Sequence, residues 1–314
     1  MLVWIIFIVV ILVFLAIDLG IFNKEPHVIR TKEASLWTVI WVSVGLSFSL
    51  IIYLIFKNEW IDNPSNLSPS NALIKYVTGY LIELSLSMDN IFVIAVIFSS
   101  YGIPPKYQHR VLFWGIIGAI VFRALMIFFG VALIRKFEWI IYVFGIFLIL
   151  TALKLLLSKD KVKFNPKNSL VYRTVRKFVP ITSTVENERF IMRKKHLLVA
   201  TPLFLVLVII EFTDVIFALD SIPAILAITR DPFIVFSSNI MAILGLRSMY
   251  FFISRISQKF HYIKYSLAVI LTFVGVEFLL QKTYKFPDWF SLVFIFGAIL
   301  LGILISIRKN KLDD

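Results

Sequence analysis

Six carboxylates of this chain fall where apolar residues surround them: Asp18, Glu83, Asp89, Glu211, Asp214 and Asp220. Three of them interrupt one greasy run, "HLLVATPLFLVLVIIEFTDVIFALDSIPAILAITRDP". An acid at the centre of a membrane helix costs roughly 2.5–3.5 kcal/mol, so three cost about 8–10 kcal/mol. The twenty Leu, Ile, Val and Phe of residues 197–229 return about 6–12 kcal/mol, at roughly 0.3–0.6 each. Insertion is close to balanced, and stability is a poor reason for keeping the acids. Carboxylates at that depth bind cations, carry protons, or pair with a buried base.

Charge and donor type narrow these options. Arg123 and Arg247 are the only basic residues at similar depth, so full ionisation would leave an interior charge of −4. Protons or a bound cation must offset it. The oxygen donors are the carboxylates, Asn90, Thr213, Ser221, Asn239 and backbone carbonyls. There is no cysteine, and the four histidines (27, 109, 196, 261) lie at segment edges or in loops. An oxygen-only set suits Mn²⁺, Mg²⁺ or Ca²⁺ over Zn²⁺ or Cu⁺. The competing reading is an internal ion-pair network of the acid pairs with Arg123 and Arg247, and the two roles can coexist. The arginines read as charge partners or gating residues, and Glu211 as a ligand or proton carrier. Asp18, Thr213 and Asn239 read as accessory residues, Asn239 first as a helix–helix hydrogen bond. Glu138 and Glu277, at segment ends, read as ordinary interface charges.

The elements that must hold these residues are membrane helices. The chain has 314 residues, 60% of them hydrophobic and 16% charged, far from the near-half and quarter of a soluble domain. Nine apolar segments predict nine spans, at roughly 1–22, 37–56, 73–100, 111–134, 139–157, 197–229, 233–253, 263–281 and 289–307. The first lacks a basic start and a cleavage site, and reads as a retained helix. Alternating loops would place 23 Lys and Arg on one side and 7 on the other. The positive-inside rule then sets the N-terminus outside and the C-terminus in the cytoplasm. The net charge of +13 is thus loop charge, not a nucleic-acid signal. The expected organisation is one integral membrane domain: N-terminal spans over 1–157, a basic cytoplasmic loop over 158–196, and further spans over 197–314. Within the loop, "NSLVYRTVRKFV" reads equally as a short basic helix on the inner leaflet or as a solvated linker.

Two parts of the chain resemble each other. Aligning Asp89 of "ELSLSMDN" with Asp220 of "DVIFALDS" sets Glu83 opposite Asp214. Further on, "GAIVFRALMIFF" matches "AILGLRSMYFF", with Arg123 opposite Arg247. An odd number of spans separates the copies, so spans 3–5 and 6–8 would form an inverted repeat, as in secondary transporters with a mid-bilayer site. Helix geometry constrains that site. At about 100° per residue, Asp214 and Asp220 point about 120° apart. Pro223 also removes a backbone bond to the carbonyl of Leu219. Together these predict a kinked or broken helix around "LDSIP".

"GYLIELSLSMDNIFV" and the long stretch from "ATPLFLVLVIIEFTDVIFALDSIP" to "ILGLRSMYFF" resemble the two signature regions of the TerC integral membrane proteins. "LAIDLGIFN" and "FEWIIYVFGIFLILTALKL" resemble other parts of that pattern. The resemblance implies an all-α polytopic helix bundle in the bacterial inner membrane, related to LysE-type exporters and named for tellurium resistance. It also implies a link to Mn²⁺ efflux, with Glu83, Asp89, Asn90, Glu211, Asp214, Asp220 and Ser221 on the motif positions. One departure is Leu84, where the pattern carries Lys; the site is one charge more negative for it. The expected function is therefore secondary export of a divalent cation, Mn²⁺ first, with protons or membrane potential as the drive. Its expected partners are the lipid bilayer, the cation and protons. No enzyme activity and no resident cofactor are expected, and the chain carries no Walker motif for direct ATP drive. A membrane partner that assists metal loading or insertion of exported proteins is the alternative. An intramembrane aspartyl protease lacks its GxGD pattern here, and the anionic interior disfavours an amino-acid cargo.

Overall fold

The structure is a computed structural model. It describes residues 2–20, 31–63, 66–137, 139–157, 180–182, 189–194, 197–256, 263–281, 283–284 and 286–313. It is a helix bundle. The helices are α1 (Leu2–Gly20), α2 (Thr31–Lys57), α3 (Pro69–Ser100), α4 (Pro105–Lys136), α5 (Ile140–Leu157), α6 (Pro202–Ile228), α7 (Pro232–Leu244), α8 (Leu246–Ile256), α9 (Ile263–Leu280) and α10 (Asp288–Asp313). Among the described residues, α2–α6 and α10 are long and apolar enough to cross a membrane, and α7 with α8 makes a seventh candidate. The apolar stretches of α1 and α9 are shorter, Leu2–Ile17 and Tyr265–Leu280. Length and composition thus mark six or seven crossings among the described residues, and α1 and α9 fall on the remaining two of the nine expected segments. Glu138 and the "NSLVYRTVRKFV" segment lie outside the described residues.

Local signals set the helix starts. Proline opens α3, α4, α6 and α7, where a missing N–H costs nothing. Ser68 caps α3 by accepting from Asn71 N–H, and Asp231 caps α7 by accepting from Phe233 and Ile234 N–H.

Two expectations are corrected. Residues 197–200 do not begin a span. They form a strand, β2 (Leu197–Ala200), antiparallel to β1 (Ile191–Lys194), with Ile191 opposite Ala200. Helix α6 is continuous through Pro223 rather than broken. Ser221 to Ile228 are all buried, so packing on every side holds the helical path despite one lost backbone bond. The break falls instead at Gly245, where α7 and α8 meet at a bend of 44°.

Helix α3 runs through the centre, packed by α2, α6, α7, α8 and α10. Helix α4 lies against α6 and α7, and α5 against α9. At that last crossing Gly145 and Gly275 meet backbone to backbone. A Cβ on either would stand 2.8–2.9 Å from the other's carbonyl oxygen. The apolar side chains form two cores. On α4, residues up to Ala119 belong to the first and those from Ile127 to the second. On α6 the change falls between Ile210 and Ala218.

Candidate functional site

The seam between the two cores is polar. On α4 it holds Arg123 and on α6 Asp214, each between the last residue of one core and the first of the other. Arg123 is 1% exposed, Glu83 0% and Asp214 5%, so the charges are out of reach of water. The Arg123 guanidinium grips Asp214 with two parallel bonds, Nε to Oδ2 at 3.2 Å and Nη2 to Oδ1 at 3.0 Å. Its Nη1 pairs with Glu83 Oε1 and also donates to Ser221 Oγ (3.3 Å) and Asn239 Oδ1 (3.2 Å). This planar fork is the geometry that suits guanidinium to carboxylate.

Amides and a hydroxyl complete the shell. Asn239 Nδ2 donates to Glu83 Oε2 at 2.9 Å, and Asn90 Nδ2 to Asp214 Oδ1 at 2.9 Å. Ser87, one turn beyond Glu83, donates to its Oε1 at 3.4 Å. Four helices, α3, α4, α6 and α7, therefore converge on one guanidinium. Glu83 and Asp214, the pair the internal alignment set opposite each other, bind the same base.

Acceptors outnumber donors here. Among the described residues, Asn90 Oδ1 and Glu211 Oε2 are shielded from solvent and take no hydrogen bond. Glu211 lies one turn before Asp214, against Gly118 of α4, where a Cβ would overlap its carboxylate. Only glycine leaves that space.

The other expected residues fall elsewhere. Asp220 leaves the seam, as the helix angle requires, and accepts from Thr151 Oγ1 of α5 at 3.1 Å. Thr213 turns its hydroxyl onto its own helix, donating to Ile209 O at 2.7 Å, and takes no part in the network. Arg247 is buried on α8, just past the Gly245 bend. The side chains of Asp18 and Asp89 lie outside the described ones. Among the described residues no three acids or histidines converge as a metal cage. Sequence reasoning missed Ser87, Gly118 and Thr151. Ser87 had a usable signal in its helical spacing from Glu83; Thr151, 69 residues from Asp220, had none.

Fold and site together define a polytopic helical membrane protein with a charged network buried at mid-helix. The Integral membrane protein TerC family matches residues 68–313, and the chain belongs to that family. It is 45% identical over 98% of its length to "Uncharacterized membrane protein STKORF319" of Myxococcus xanthus, covering 92% of that protein. It is 43% identical to "Putative membrane-bound redox modulator Alx" of Salmonella typhi, over 98% of this chain and 94% of the relative. An uncharacterized membrane protein of Rickettsia bellii is 42% identical, over 99% of both. No solved structure matches the chain.

Proposed function

We propose that this protein exports a divalent cation, Mn²⁺ first, as a secondary transporter of the bacterial inner membrane, and that it is not an enzyme and holds no resident cofactor. One observation carries the reading: two carboxylates from antiparallel helices share a single base at mid-helix, beside acceptor oxygens that have no partner among the described residues. Glu83, Asp214 and Arg123 sum to −1, and Glu211 makes the seam more negative. Glu83, Asp214, Glu211, Asn90 and Ser221 offer the oxygen set that Mn²⁺ takes. Arg123 is the tethered competitor: the cation binds as the guanidinium gives way, and the guanidinium returns as the cation leaves. Asp89 and Asp220 stay in the ligand set on the strength of the sequence pattern alone, and Arg247 stays as a gating charge.

An inverted repeat, as read from the sequence, would support alternating access. The equivalent acids Glu83 and Asp214 meet at one base, and Gly145 and Gly275, in corresponding spans, approach each other reciprocally. The name given to the enterobacterial relatives speaks of redox modulation; a chain without cysteine cannot perform thiol–disulfide exchange itself.

The test is uptake into inverted membrane vesicles across Mn²⁺, Mg²⁺ and Ca²⁺. Wild-type vesicles should accumulate Mn²⁺, and Glu83→Gln or Glu211→Gln should abolish it while the chain still reaches the membrane. Glu211→Gln matters because it leaves every bond of Arg123 intact. Normal Mn²⁺ uptake by both variants would remove the site, and no uptake of any divalent cation by the wild type would remove the function.

A further inference from the structure

A second polar centre lies far from the seam. Asn90 meets Asp214 and Lys75 meets Ile228, so α3 and α6 run antiparallel in one register over about fourteen residues, about 21 Å. At the Lys75 end a cavity of about 330 Å³ opens between α3, α6, α9 and α10. Its polar wall is Lys75, Arg230, Glu277, Gln281 and Asp288. Glu277 thus faces a cavity rather than the lipid interface expected of it.

The donors of this wall are engaged. Lys75 Nζ donates to Ile228 O and to Asp288 Oδ1, both at 2.7 Å. Arg230 Nη2 donates to Gln281 Oε1 at 2.8 Å. Glu277 Oε1 accepts from Ser291 Oγ at 3.0 Å, but its Oε2, shielded from solvent, has no partner among the described residues. The group that is both shielded from solvent and unpartnered among the described residues is an acceptor, near the carbonyl end of α6 where the helix dipole is negative. Two carboxylates and a backbone carbonyl are the oxygen types a hard divalent cation takes, and an ammonium stands among them.

We propose that this cavity is a second divalent-cation position, with Glu277, Asp288 and the Ile228 carbonyl as oxygen ligands and Lys75 as the tethered ammonium that fills it between ions. The proposal rests on the export reading and extends it: the cation passes from the mid-membrane seam to this vestibule before it reaches water. The device is the same at both stations. Arg123 closes the seam and Lys75 closes the vestibule, each a basic side chain holding the place of the cargo. The Lys75 side chain is 14% exposed and that of Asp288 25%, so the ammonium has water to swing into when the cation enters. Arg230 lines the same cavity and is held by Gln281.

Two measurements on the full chain in detergent and in proteoliposomes test this. Titrating Mn²⁺ into Glu83→Gln, whose seam is disabled, should leave one binding event; adding Glu277→Gln should erase it, and Lys75→Met should tighten it about tenfold. No residual event, or one indifferent to Glu277, overturns the vestibule whatever the transport result. In proteoliposomes, Glu277→Gln should raise the half-saturating Mn²⁺ about tenfold when the ion is offered at the Gln281 face and leave the opposite face unchanged. An equal shift at both faces, or none, overturns the proposal while leaving export intact. Failure of wild-type transport with the residual binding event present would sink the export reading alone.

Discussion

Arg123 is the residue on which the interior depends. It pairs with two acids from different helices and is itself fully enclosed. A buried pair contributes little over a well-packed apolar substitute, but removing one partner strands the other at a cost of about 3–5 kcal/mol. Arg123→Leu strands two, so thermal unfolding in detergent should show a loss of at least that size. Arg123→Leu combined with Glu83→Gln and Asp214→Asn should recover most of it, since no charge then stays buried alone. A triple variant no more stable than the single one would mean that the network acts through shape rather than charge. Glu211 differs in kind. It bonds to nothing among the described residues, so its neutral variant tests binding with little structural cost.

At the scale of elements, glycine sets how closely the helices cross. Gly118 makes room for the Glu211 carboxylate, and Gly145 and Gly275 let α5 and α9 touch backbone to backbone. Gly145→Ala or Gly275→Ala should each push that pair apart and cost about 1–3 kcal/mol, as overpacking does. The double variant should cost little more than either single one, because one separation accommodates both methyls. Unfolding temperatures of the three variants check this, and strict additivity would contradict it. Helix α6 makes a related point. A proline inside a span invites a break, yet buried packing around Pro223 keeps the helix whole, and the bend falls at Gly245 instead.

Over the whole molecule, two apolar cores meet at a polar seam, and helices α4 and α6 pass through both. The seam lies near the middle of α6, as far from water as the bundle allows. Absence of cysteine makes orientation measurable with single substitutions. Asn71→Cys and Lys106→Cys, exposed near opposite ends of α3, should react with a membrane-impermeant thiol reagent from opposite faces. The basic-residue distribution predicts Asn71 on the outer face. Labelling of both from one side would contradict a spanning α3.

The membrane class, the helical architecture and the presence of acids at mid-helix were legible in the sequence, because they rest on local quantities. Apolar run length, the cost of a charge within it, and the angle between residues on one helix need no knowledge of neighbours. That angle led to the expected break at Pro223; with the helix whole, it separates Asp220 from Asp214 instead. What binds to what was decided only by the fold. Arg123 lies 40 residues from Glu83 and 91 from Asp214, and nothing along the chain says which helix faces meet. Nor could local reasoning see that Asn239 completes the shell of Glu83, or that Glu277 faces a cavity beside Lys75. The continuity of α6 is of the same kind. The lost hydrogen bond at Pro223 is written in the sequence, but the packing that outweighs it comes from helices brought together in space.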